Sequence, residues 1–174
     1  MTTIITGGGP QRVLVAGVGN IFLGDDGFGV EVAQRLSVRP LPPGVRVGDF
    51  GIRGIHLAYE LLDGYDALVL IDAMPLGDEP PGTLVMVDPE EVRPPEHGDD
   101  LAPVLDAHTM HPGVVLGMMA MLGAEVKRIV ILGCQPGSFD GIGLSPPVTE
   151  AVGIAADLLE DILNDICSRV GKET

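Results

Sequence analysis

Tryptophan is absent from this 174-residue chain, and only two Tyr and four Phe are present, so its core has to be assembled from aliphatic side chains and Met. Basic residues are also scarce. Ten Lys and Arg stand against 25 Asp and Glu, a formal net charge of −15. A surface this negative repels phosphate backbones and anionic lipid, which argues against nucleic-acid and membrane partners and favours a cationic or metal-bearing one. The two cysteines, Cys134 and Cys167, have no CxxC spacing and form no disulfide framework; they suit a reducing cytosol. No apolar run approaches the ~20 residues that span a bilayer. The opening MTTIITGGGP has neither the basic nor the apolar region of a signal peptide. A cytoplasmic protein with a flexible tail over residues 1–10 is expected. What the chain does hold is 45% apolar residues, 25 Gly and 15 Pro, the composition of short elements separated by tight turns.

Residues 12–18, RVLVAGV, and 67–72, ALVLID, are continuous apolar runs, as parallel strands buried on both faces require. Residues 45–50 and 129–133 read as two further strands, and helices are expected over 27–36, 54–62, 112–122 and about 146–170. In the second helix Ile55, Ala58, Tyr59 and Leu62 share one face; in the last, Val148, Val152, Ala155, Leu159, Ile162 and Ile166 do. Pro112 suits a first helical position. Between residues 74 and 82 a Pro/Gly loop runs straight into 83–87 with no room for a crossover helix, so that strand is expected to be antiparallel. There is no internal repeat and no interdomain linker. The expected fold is a single α/β domain over 1–174: a three-layer sandwich with a mostly parallel five-stranded sheet, one antiparallel edge strand and helices on both faces. The long acidic loop over 88–106 is expected to be mobile and to order over a bound partner.

Ligands of such sheets bind beyond the carboxyl ends of the strands, where strand order reverses. Asp25 and Asp26 follow the first strand, Asp72 ends the third, and His108 precedes the helix that leads to the fifth. Two carboxylates and an imidazole meeting there would coordinate a borderline divalent ion such as nickel or zinc, leaving positions open for water or substrate. Each residue also has a plainer reading. One of the acids, Asp25 the better candidate, could cap the following helix; Asp72 could cap its own turn. His108 competes with His111, which suits the N-terminal flank of the helix at Pro112, while His56 and His97 read as solvent-facing. Met110, Met118, Met119 and Met121 read as packing residues. The turn GVGN, Gly17 to Asn20, is a weak dinucleotide loop, because the third glycine of GxGxxG would fall on Phe22.

GVGNIFLGDDGFGV, from Gly17 to Val30, resembles the signature G(V/I)GN-x-L-x-x-D-(D/E)-x-x-G of the nickel-iron hydrogenase maturation proteases. The likeness continues in order through DFGIRG (Asp49 to Gly54), LVLIDAM (Leu68 to Met74), AHTMHPGVVL (Ala107 to Leu116) and GCQPGSFDGIGLSPPV (Gly133 to Val148), covering roughly residues 12–168. The resemblance implies five strands flanked by helices and a metal site of two carboxylates and a histidine, which map to Asp26, Asp72 and His108. It implies an endopeptidase that trims the C-terminal extension of a hydrogenase large-subunit precursor. Nickel is then carried by the substrate and held transiently, with no organic cofactor, and a monomer or weak homo-oligomer is expected. Phe50 and Ile52 depart from the family, whose members usually carry Gly and Thr there; this puts in doubt any substrate contact by a hydroxyl in that loop.

There is no GxSxG turn, and Cys134 has no evident histidine partner, so a side-chain nucleophile is not expected. Asp26 and Asp72 are the candidate general bases toward water. Two rival readings remain: a nucleotide-binding module built on the Gly17–Asn20 turn, and a non-catalytic metal-binding or chaperone protein of hydrogenase assembly.

Overall fold

The structure, a computed structural model, describes residues 10–92 and 111–168. In chain order it consists of β1 (Val13–Val18), a 3-10 turn (Gly24–Gly27), α1 (Phe28–Ser37), β2 (Val45–Gly51), α2 (Gly54–Leu61), β3 (Ala67–Ala73), β4 (Leu84–Val87), α3 (Pro112–Leu122), β5 (Arg128–Cys134) and α4 (Pro146–Ser168). The sheet order is β2-β1-β3-β5-β4. All neighbours are parallel except β4, which pairs antiparallel with β5, Leu84 opposite Cys134 and Val87 opposite Ile131. The short Pro/Gly link before β4 leaves the strand no other orientation.

Every residue of β1 and β3 is buried, because these two central strands are covered on both faces. Strand alternation divides the core in two. Val13, Val15, Val69, Ile71 and Leu132 point to one side, where Phe28, Val32 and Leu36 of α1 and the stripe of α4 close over them. Leu14, Ala16, Leu68, Leu70 and Ile131 point to the other, against Leu57 and Leu61 of α2 and Val115 and Met119 of α3. Chain direction explains the division. From β1 the chain moves one way to β2, then back past β1 to β3 and on to β5; right-handed crossovers therefore put α1 on one face and α2 and α3 on the other. The reversal between β1 and β3 leaves a crevice at their carboxyl ends.

Two helix faces differ in detail from the sequence pattern. In α2, Leu57, Ala58 and Leu61 are buried, whereas Ile55, Tyr59 and Leu62 are exposed. Both stripes of this short helix are apolar, so periodicity alone does not separate them, and packing against β1 and α3 selects the face centred on Leu57. In α4, Leu163 is fully buried and Ile162 only partly, the stripe drifting by one position as a 3.6-residue period requires over a helix of this length. α3 begins as expected, with Pro112 at its first turn, and stops at Gly123 in the left-handed conformation, φ 72°. Residues 93–106 of the expected mobile loop, together with His97, His108 and Met110, lie outside the described residues.

Candidate active site at the carboxyl rim of β1 and β3

β1 ends in the turn that carries Gly19 and Asn20, and the chain passes through the 3-10 turn before α1 begins. Gly19 has φ +129°, and a Cβ there would lie 1.9 Å from the backbone oxygen of Asp26. Only a residue without a side chain lets these two backbone segments meet. At the start of α1, Gly29 is packed as tightly: a Cβ would fall 2.2 Å from the Ile71 carbonyl oxygen and 2.4 Å from that of Val18. The helix start is thereby drawn into the crevice between β1 and β3, which brings Asp26 toward Asp72.

The Asp26 carboxylate is half-buried, and its Oδ2 accepts a 2.7 Å hydrogen bond from the Asn20 backbone N–H. Burial raises its pKa above 3.8, with the Asn20 bond opposing. Asp72 occupies the second-last position of β3 and is 3% exposed. Its Oδ1 is the buried side-chain oxygen that finds no hydrogen-bond partner among the described residues. Burial first, and then the neighbouring Asp26 carboxylate, push its pKa well above 3.8. Two carboxyl groups that repel one another at the mouth of a crevice, one with a lone pair left over, form a site that a divalent cation would satisfy. Among the described residues no third His, Cys, Asp or Glu completes the pair into a metal-binding group. The position of His108 in this arrangement falls outside them.

Asp25 does not cap α1: that helix starts at Gly27 with no side-chain cap. The carboxylate instead turns inward, 0% exposed, and accepts four hydrogen bonds from the chain after β5. These come from Gly137 N (2.7 Å), Ser138 N (2.9 Å), Ser145 N (2.6 Å) and Ser145 Oγ (2.8 Å). Burial alone would raise its pKa, but the bonds from Ser145, Ser138 and Gly137 together outweigh it and hold the group below 3.8. The partners lie 112–120 residues away in sequence, beyond the reach of local pattern reading.

His111 is the N-cap of α3, its Nδ1 accepting from Gly113 N at 3.1 Å, and burial lowers its pKa. His56 is exposed. Cys134 is fully buried in β5, and burial, followed by the Asp25 charge, pushes its thiol up to about 12, which rules it out as a nucleophile at neutral pH.

The turn after β1 is unsuited to a nucleotide. The N–H of Gly19 is spent on Gly51 O, that of Asn20 on Asp26, that of Phe22 on Asn20 Oδ1 and that of Leu23 on Asn20 O. A phosphate would find these donors turned inward and a carboxylate beside them. Next to this turn lies a cleft of ≈ 250 Å³, between Ile21 and Phe22 on one side and Asp49, Ile52 and Arg53 at the end of β2 on the other. Ile52 is exposed and gives this wall an apolar surface, while Phe50 folds back against Gly48 and joins the core.

Comparison with known proteins bears directly on this arrangement. Residues 30–162 match the family model described as hydrogenase maturation protease. The chain belongs to the hydrogenase maturation protease family. It is 34% identical over 156 residues to the hydrogenase expression/formation protein HupD of Bradyrhizobium diazoefficiens, covering 88% of this chain and 78% of the relative. It is 32% identical over 155 residues to the hydrogenase 2 maturation protease of Escherichia coli, covering 88% and 89%. The solved Escherichia coli hydrogenase maturating endopeptidase HybD superposes with a TM-score of 0.71 at 28% identity, over 89% of this chain and 93% of that one. The NiFe hydrogenase maturation protease HycI of Thermococcus kodakarensis gives a TM-score of 0.66, also at 28% identity, over 90% and 94%. Its five-stranded, mostly parallel α/β fold with one antiparallel strand is that of solved hydrogenase maturation endopeptidases. No helix among the described residues is long and apolar enough to cross a membrane.

Proposed function

We propose that this endopeptidase removes the C-terminal extension of a nickel-containing hydrogenase large-subunit precursor in the cytoplasm, and that Asp26, Asp72 and His108 read the inserted nickel. The observation that carries the reading is the buried Asp72 Oδ1, without a hydrogen-bond partner among the described residues, with the Asp26 carboxylate beside it. Nickel belongs to the substrate here. It would enter the open coordination positions, neutralise the repulsion between the two acids and supply Lewis acidity next to the scissile bond. The place of His108 rests on the resemblance of AHTMHPGVVL to the family motif.

The chain's own residues do the positioning. Asp72, inside the rim, anchors the nickel-bearing segment at the end of β3. Asp26 is held by the Asn20 N–H yet still reaches solvent, and so is the group placed to orient the attacking water. The apolar cleft beside it takes the chain that leads to the scissile bond. The free acids offer no thiolate, so nickel leaves with the trimmed subunit.

Purified enzyme should release the C-terminal peptide, identified by mass, from precursor carrying nickel and leave nickel-free precursor intact. Equal cleavage of both would overturn the nickel-reading account, and cleavage of neither would favour a non-catalytic assembly role.

A further inference from the structure

We propose that Asp25 is a positioning residue that sets the catalytic geometry of Asp26 by clamping the 3-10 turn that carries both onto the loop that enters α4. The inference rests on the function proposed above. Asp25 and Asp26 are consecutive, and their side chains diverge: Asp25 points inward to residues 137–145, Asp26 toward Asn20 and Asp72. The turn that carries both is one helical turn long, with too few internal bonds to hold a side chain at a fixed distance from β3.

What holds it comes from the far end of the sequence. Besides the four bonds to the Asp25 carboxylate, Gly24 N donates to Gly141 O at 2.8 Å and Asp25 N to Ser138 O at 2.9 Å. Contact is close enough that a Cβ on Gly24 would lie 2.6 Å from the Ser138 oxygen. The loop is itself rooted in the sheet, since it leaves the end of β5, the strand paired with β3 in the register that sets Asp72 opposite Gly133. The clamp therefore links Asp26 to Asp72 by a route that does not pass through β1. Asp72 is placed by β3, β3 by β5, the loop by β5, and Asp26 by the loop through Asp25. An aspartate is required because all four donors converge on acceptors; an amide would turn an N–H₂ toward at least one backbone N–H.

The Asn20 N–H reports the position of Asp26 without substrate, because it donates to Asp26 Oδ2 and touches nothing of the clamp. In full-length Asp25→Asn, amide exchange at Asn20 is expected to speed up by about tenfold or more, the equivalent of one lost charge-assisted bond. Ser145→Ala removes only the hydroxyl bond, keeps the fold if Asp25→Asn does not, and should speed Asn20 exchange by a smaller factor. On nickel-loaded precursor either folded variant should lose kcat with little change in KM. If only the amides of Gly137, Ser138 and Ser145 become exchangeable while Asn20 stays protected, Asp25 is a loop anchor alone and the proposal fails. Faster Asn20 exchange with unchanged kcat would also overturn it. Should wild-type enzyme fail to cut the precursor, the proposed function falls while the Asn20 exchange still decides whether Asp25 positions Asp26.

Discussion

The three acids at the rim have opposite relations to protons, and each relation follows from what surrounds the carboxyl group. Asp72 is buried with no partner for Oδ1 among the described residues, and its folded pKa is raised. Its contribution to stability is present below the unfolded value of 3.8 and is lost as pH rises through the folded value. Removing the ionisable group should therefore help: Asp72→Asn, an isostere that cannot ionise, is expected to be more stable than wild type at pH 7 by about 1–3 kcal/mol, the cost of burying an ionisable carboxyl. The gain should shrink as denaturant titrations are repeated toward pH 4, and a variant less stable than wild type at pH 7 would contradict this. Asp25 has the reverse sign. Its folded pKa is lowered, so its stabilisation is present above 3.8 and disappears as pH falls through the folded value. Asp25→Ala, which strands three backbone N–H groups, should cost about 2–4 kcal/mol at pH 7 and progressively less in acid titrations. Of these roles, the mapping of Asp26 and Asp72 to one rim was legible in the sequence, because both follow strands whose apolar runs are unmistakable. The role of Asp25 was not. An aspartate just before a helix looks like a cap, and the four donors that claim it lie 112–120 residues away in sequence.

Among the elements, β1 and β3 were recognisable because burial on both faces leaves apolar runs whose one polar residue is Asp72 near the end of β3, and the orientation of β4 followed from a link too short for a crossover. The buried face of α2 was misassigned for a physical reason: its two apolar stripes are adjacent, and only contact with α3 decides between them. The glycines of the β1–α1 turn were visible as a motif, one that matched a dinucleotide loop only weakly. In the structure they serve close approach of backbone to backbone, which no spacing rule reveals. Gly29→Ala tests that use. Its Cβ would collide with two carbonyl oxygens of buried strands, neither able to swing aside, so we expect a loss of about 2–3 kcal/mol in a denaturant titration. Gly153→Ala is the control: it lies in α4 with open space around it and should be neutral or stabilising by up to about 1 kcal/mol.

At the scale of the whole molecule, the described residues form an aliphatic sandwich with the candidate site at one rim, and the net charge of −15 keeps the surface unattractive to other anions. Exposed apolar residues stand in the segments around the 3-10 turn, Phe22 at 67% just before it and Ile142 at 82% in the loop bonded to it through Gly141. Under the proposed function, a nickel-bearing precursor would be met by contact area as well as by coordination. The most direct test of the account is the rate at which Asp26→Asn, confirmed folded by its circular dichroism, trims nickel-loaded large-subunit precursor in a single-turnover assay. Loss of about a thousandfold or more is expected for removal of a group that orients the attacking water next to the metal. Trimming at the wild-type rate would contradict the account.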